Sequence, residues 1–184
     1  MQFGMRASAG AVQGVSIDDA CEPMITAIER RPPIGRCGSG IINTVAGLFC
    51  AGALLPNGKF RDELPTDRVR EGRSGREYVL VWAKDAGTDG DITVSETDIE
   101  NVMRAKAAMY AGYCSLAEAA GIGMDEIGRV IISGAFGNFL DIENAVRIGL
   151  LPDIPRDRFV FIGNGSLAGA GLGAISRTRI KQGL

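Results

Sequence analysis

The 184-residue chain has no histidine, and that gap closes off more chemistry than any other feature of its composition. Without imidazole there is no Ser-His-Asp or Cys-His nucleophile, and no histidine-ligated zinc or iron. Cysteine is sparse. Cys21, Cys37, Cys50 and Cys114 are the four, and no Cys-x-x-Cys pair exists, so the chain shows neither an iron–sulfur nor a zinc pattern of its own. Free thiols suit a reducing, cytoplasmic setting. Net charge is also scarce. Twenty basic and 22 acidic residues nearly cancel at −2 and are mixed along the chain, which leaves no electrostatic footprint for nucleic acid. No apolar run reaches the ~20 residues needed to cross a bilayer, and MQFGMRASAG is not a signal peptide.

What is abundant is glycine, 26 residues, or roughly twice the usual share. With 46% apolar residues the chain can bury a core, and its length suits one domain or one lobe of something larger. Residues 11–18 alternate as a strand, and residues 24–28 can pair with it. Gly35 to Gly40 is a glycine turn feeding an apolar helix that carries Ile41, Ile42, Val45, Leu48 and Phe49 at helical spacing. Residues 56–76 interleave arginine with acid and read as a wet loop. Tyr78 to Trp82 is a short strand. Thr97-Asp-Ile-Glu100 is a capping box for a long helix that Gly121 stops. Ile99, Val102, Met103, Met109, Tyr110, Tyr113, Leu116 and Ala117 form its apolar stripe, and Lys106 lies on it.

Beyond residue 129 the pattern is strand, glycine turn, helix, twice over. Val130–Ile132 leads to Gly134-Ala135-Phe136-Gly137-Asn138 and a helix from Asp141, its N-cap, to Leu150. Phe159–Ile162 leads to Gly163-Asn164-Gly165 and a last small-residue helix. Runs apolar at every position belong to a parallel sheet covered on both faces, so this is a βαβα unit. Ligands in such sheets sit beyond the carboxyl ends of the strands, where these turns lie. The glycines are therefore candidates for nucleotide contact, and equally for tight strand-to-helix turns. No P-loop is present, and Gly163-x-Gly165-x-x-x-Gly169 is one residue too long for a dinucleotide fingerprint. Gly38-Ser39-Gly40 is a third such turn. Cys37 beside it is either a thiolate at a helix N-terminus or a small buried thiol. Lys106 either reaches an anion or snorkels to solvent.

Six motifs in this order carry a resemblance: GMRASAG (4–10), GRCGSGII (35–42), RAKAAMYAG (104–112), ISGAFGNFLD (132–141), RIGLLP (147–152) and GNGSLAGA (163–170). Together they resemble the C-terminal ATPase region of the reductive activators of corrinoid proteins, within the actin-like and sugar-kinase-like ATPases. The resemblance implies an α/β, ribonuclease-H-like lobe. Its mixed sheet would have helices on both faces and end in the βαβα unit. It implies ATP with Mg²⁺ as ligand, and a corrinoid protein as partner. The implied reaction is the ATP-driven return of Co(II) corrinoid to the Co(I) state used for methyl transfer. Electrons would enter through a ferredoxin-like [2Fe–2S] domain. Carried over, Gly38, Ser39, Gly40, Gly134, Ala135, Phe136, Gly137, Asn138, Gly163, Asn164, Gly165 and Lys106 are the expected nucleotide-binding residues. The catalytic residues stay unassigned.

The family's Asp-x-Gly-Thr phosphate segment, which precedes Gly4-Met5-Arg6 in such proteins, has no counterpart here. The partner lobe and the ferredoxin cysteines have none either. Residues 1–184 are thus expected to be a single domain, one lobe that is N-terminally truncated relative to the family. Alone, it is expected neither to turn over ATP efficiently nor to carry a cluster. A homo-oligomer stays open, and no membrane is expected. The rival readings are a nucleotide-independent docking module and, on the weakest motif support, a Rossmann-like dinucleotide enzyme.

Overall fold

The computed structural model describes residues 3–134 and 139–175. Strand β1 (Ala11–Ile17) pairs antiparallel with β2 (Pro23–Ala27) and parallel with the short β3 (Gly35–Arg36). Helix α1 (Gly38–Cys50) then folds back onto β1. Two glycines let it come close. A Cβ on Gly40 would stand 2.1 Å from the Val12 carbonyl oxygen, and one on Gly47 would stand 2.9 Å from the Ile17 side chain. Val12, Ile41, Val45 and Leu48 are fully or nearly buried at this junction.

The second sheet is an antiparallel meander of β4 (Val69–Gly72), β5 (Gly75–Val81) and β6 (Ile92–Ser95). The arginine-rich stretch read as a wet loop therefore ends in a strand. Its alternating charges are cross-strand partners: Arg70 faces Glu77 in register and pairs with it at 3.1 Å, and with Asp91 at 2.8 Å. Such pairs support a sheet as helical pairs support a helix. Tyr78 is buried and its hydroxyl donates to the Cys21 carbonyl at 2.8 Å, which joins this sheet to the β1–β2 turn.

Helix α2 (Glu96–Ala120) begins about half a turn earlier than its sequence signal. The capping box is Ser95 with Asp98, not Thr97 with Glu100. β6 pairs through Ser95, which holds that residue extended (φ −84°, ψ 160°) and makes it the cap. Thr97 instead bonds the Ser74 carbonyl, and Glu100 pairs with Arg104. Gly121 ends the helix in the left-handed region (φ 68°), as its sequence requires. Only part of the expected apolar stripe is core. Ile99, Val102 and Ala117 are buried, whereas Met109, Tyr110 and Leu116 are exposed.

The βαβα unit is present. β7 (Val130–Ile132) runs parallel to β8 (Phe159–Phe161), with α3 (Ile142–Arg147) between them and α4 (Gly165–Ile175) after. Asp141 caps α3 through the Asn144 amide at 3.0 Å. That helix stops short of Leu150 because Gly149 turns left-handed at φ 74°. The apolar runs predict cover on both faces of this strand pair. Among the described residues one face is open: Ile131 is 62% exposed.

Candidate functional site

The first expected turn sits at the start of α1. Cys37 is the N-cap and gives the helix no side-chain capping bond. Its thiol is buried and donates to the Val12 carbonyl at 3.3 Å, with the Ser39 hydroxyl 3.2 Å away. The thiol is thus a small buried donor. Ser39 is buried as well, and Gly40 is filled against β1. Gly38 alone of this turn is exposed. It lines an open cleft of about 440 Å³ together with Met5, Arg6, Ala7, Cys37, Ser39 and Phe139.

Three of the sequence motifs meet in this cleft. Met5, Arg6 and Ala7 reach it because the chain before them runs beside β3: the Met5 amide donates to the Arg36 carbonyl at 3.0 Å, and the Arg36 amide to the Phe3 carbonyl at 2.9 Å. Gly35 permits this, since a Cβ there would stand 2.8 Å from the Met5 sulfur. Phe139 belongs to the ISGAFGNFLD motif, whose residues Ala135, Phe136, Gly137 and Asn138 lie outside the described ones. Gly134 of the same motif is five residues away, at most about 18 Å along an extended backbone.

Gly134 and Gly163 sit where the parallel strands end, both at positive φ (110° and 62°). Their turns are bonded to each other. The Gly134 amide donates to the Gly163 carbonyl at 2.5 Å, and the Gly165 amide to the Ser133 hydroxyl at 3.1 Å. Ser133 is not among the sequence candidates, although its place between strand and glycine marks it as a turn residue. Among the described residues nothing stands within 4 Å of the Cβ position of Gly134 or Gly163. Asn164 serves the fold itself, because its side chain accepts the Leu167 amide at 3.0 Å and caps α4. Gly165 packs on Ser133, 2.6 Å from the Cβ position.

Lys106 is placed elsewhere. It lines a separate cavity beside Val45, Phe49 and Met103. Phe49 is 11 residues beyond Gly38 on α1, or about 16 Å along the helix axis.

One neighbour of the cleft was not among the sequence candidates. Arg36, directly before the Cys37 cap, is the largest fully buried side chain. It donates to the Thr93 carbonyl and to the Asp98 carboxylate. Burial pulls its guanidinium pKa down, and Asp98 works against that. The pair fastens β3 and the cleft floor to the first turn of α2. A single arginine set among glycine, cysteine and serine was the only signal of it.

The same architecture occurs in known proteins. The family model described as the C-terminal domain of RACo, the ASKHA domain, matches residues 1–183. The chain belongs to this family. Its actin-like fold is shared with the solved structure of a reductive activator for a corrinoid, iron–sulfur protein, at a TM-score of 0.90 and 41% identity over 98% of this chain. The corrinoid activation enzyme RamQ of Eubacterium limosum is 34% identical over 96% of the chain. The [Co(II) methylated amine-specific corrinoid protein] reductase of Methanosarcina barkeri is 34% identical over 77 residues, 42% of this chain and 14% of the reductase. This ASKHA-domain chain spans 31% of RamQ and 29% of the solved activator. Among its described residues no helix is long and apolar enough to cross a membrane.

Proposed function

We propose that this ASKHA-domain chain is the nucleotide-binding lobe of a reductive activator of corrinoid proteins, working within a longer polypeptide. One observation carries the reading: Arg6, Gly38 and Phe139, from three separate motifs, line one cleft at a helix N-terminus that no side chain caps. Free amides and the positive end of the helix dipole favour phosphate. Arg6 adds a full charge that can grip phosphate oxygens in a fork. The backbones of Gly134 and Gly163 would carry the adenosine, with Ala135 to Asn138 as the resemblance implies. Ser39, Gly40, Asn164 and Gly165 would shape this site from within the fold, and Lys106 has no part in it.

Magnesium on a nucleotide commonly needs only one or two carboxylates beside phosphates and waters. Among the described residues no carboxylate lines the cleft with Arg6 and Gly38, so such groups would come from the rest of the longer polypeptide. Lobes that bind ATP more tightly when closed would be shifted toward closure, and hydrolysis would reset them, so the cycle could drive an uphill step. This chain's residues then hold phosphate at α1 and pass closure through Arg36 to α2. In the whole protein an electron from a [2Fe–2S] domain would reduce Co(II) corrinoid to Co(I). The similarity to RamQ and to the solved activator supports that setting.

Calorimetry with Mg-ATP tests the lobe. Arg6→Ala and Gly134→Val should each weaken binding at least tenfold. No binding by this chain or by a two-lobe version would overturn the reading. ATP turnover by this chain at the rate of a two-lobe relative would overturn its dependence on the other lobe.

A nucleotide-independent docking role is favoured by one feature, the exposed apolar residues of α2 and α4, with Leu116 at 73% and Leu167 at 69%. Capture of a corrinoid protein at equal strength with and without ATP would select it. The dinucleotide enzyme finds no support, since the chain belongs to a different family.

A further inference from the structure

Where the second half of α1 meets α2, a cavity of about 180 Å³ opens away from the glycine cleft. Val45, Phe49, Ile99 and Met103 make its walls apolar, while Lys106 and Arg147 stand at it as cations. Lys106 is half-buried on α2, and its Nζ is 3.8 Å from the Cβ position of Gly149. That is an ordinary van der Waals separation, and it is the left-handed backbone of Gly149 that disfavours a side chain there. Arg147 ends α3. Glu143, one turn earlier, feels Arg147 through space but gives both carboxylate oxygens to Arg156. Neither cation has a hydrogen bond or ion pair among the described residues.

Two cations without a hydrogen-bonded partner among the described residues, beside an apolar hollow, ask for an anion with an apolar body. The volume sets the size. It lies below the roughly 300–1,000 Å³ of sites for drug-sized ligands, which excludes a nucleotide and admits a short chain. We propose that this cavity binds a small apolar monocarboxylate, its body against Phe49 and Met103 and its carboxylate at Lys106 and Arg147. The proposal is independent of the nucleotide reading and concerns a different part of the fold. Both halves of the ligand matter. Each methylene buried tightens binding by about fourfold, so acetate should bind on the order of a hundredfold more weakly than hexanoate. Charge-assisted hydrogen bonds are roughly twice as strong as neutral ones, so hexanol should also bind more weakly.

Methyl NMR of the chain, titrated with hexanoate, tests this. Saturable shifts at the Met103 and Ile148 methyls are expected, at least tenfold tighter than for hexanol or acetate. The double variant Lys106→Gln/Arg147→Gln should weaken hexanoate at least tenfold with an unchanged melting midpoint. Met103→Trp, which fills the hollow, should abolish the shifts while the two cations remain. Inorganic triphosphate should leave the hexanoate titration unmoved. Shifts that do not saturate, equal affinity for hexanol, or full affinity in the double variant would overturn the proposal. Competition by triphosphate would overturn it too, because it would make this an anion site without need of the apolar hollow.

Discussion

At the scale of single residues, glycine proves to have two jobs that composition cannot separate. Gly40 has ordinary helical surroundings in sequence, yet its Cβ position is 2.1 Å from the Val12 carbonyl oxygen. Gly40→Ala should therefore cost about 1–3 kcal/mol through overpacking, read by urea denaturation. Gly134 has no described residue within 4 Å of its Cβ position, and its positive φ is the constraint. The buried Arg36–Asp98 pair makes a second prediction. Arg36→Met leaves the Asp98 carboxylate buried without its guanidinium, and should cost about 3–5 kcal/mol. A loss below about 1 kcal/mol would show that water reaches the pair. The third concerns alkali. Burial raises the Tyr78 phenol above its ordinary 10 and the Cys21 thiol above its ordinary 9.0. The unfolded chain then loses these protons first, so stability falls as pH rises past about 9 to 10. Tyr78→Phe should flatten that fall above about pH 10 in melts recorded across the range.

Among elements, the strongest local signals held and the neighbours moved their edges. Two capping boxes overlap in sequence at α2, Ser95 with Asp98 and Thr97 with Glu100. Pairing of Ser95 to Glu77 chose between them, because a residue held in a strand is already in the extended geometry of a cap. Ser95→Ala should cost about 1 kcal/mol in urea denaturation, while Thr97→Ala should stay within about 0.5 kcal/mol. The reverse order would restore the sequence-based boundary. β4 was hidden for a related reason. Its charges look like a solvated loop until Glu77 and Asp91 come across the sheet to meet Arg70. The glycine-turn helices were legible because capping and left-handed glycine are local, as at Asp141 and Gly121.

For the whole molecule, the buried residues form one cluster that runs from β1 and α1 through β5, β6 and the start of α2 to the α3 region. The second half of α2, the open face of β7 and α4 lie outside it, with Leu116, Ile131 and Leu167 exposed. Large exposed apolar patches mark interaction surfaces. Leu116→Lys and Leu167→Lys should each leave stability within about 0.5 kcal/mol in urea denaturation, since both side chains are exposed. A larger loss would show that these side chains support the fold. The chain's 31% share of RamQ gives this exposure its context, since the relative has further chain to pack.

Periodicity, caps and the six ordered motifs determined, from sequence alone, the βαβα unit, most helices and the family. These are local properties: a turn needs its glycine and a cap its oxygen whatever lies beyond. The tertiary structure decided which glycines are filled, and it joined Arg6, Gly38 and Phe139 in one cleft. It also carried Lys106 to a different cavity and buried Arg36 against Asp98. Those outcomes depend on contacts between residues far apart in the chain, 62 positions for Arg36 and Asp98, and no local pattern encodes such a distance.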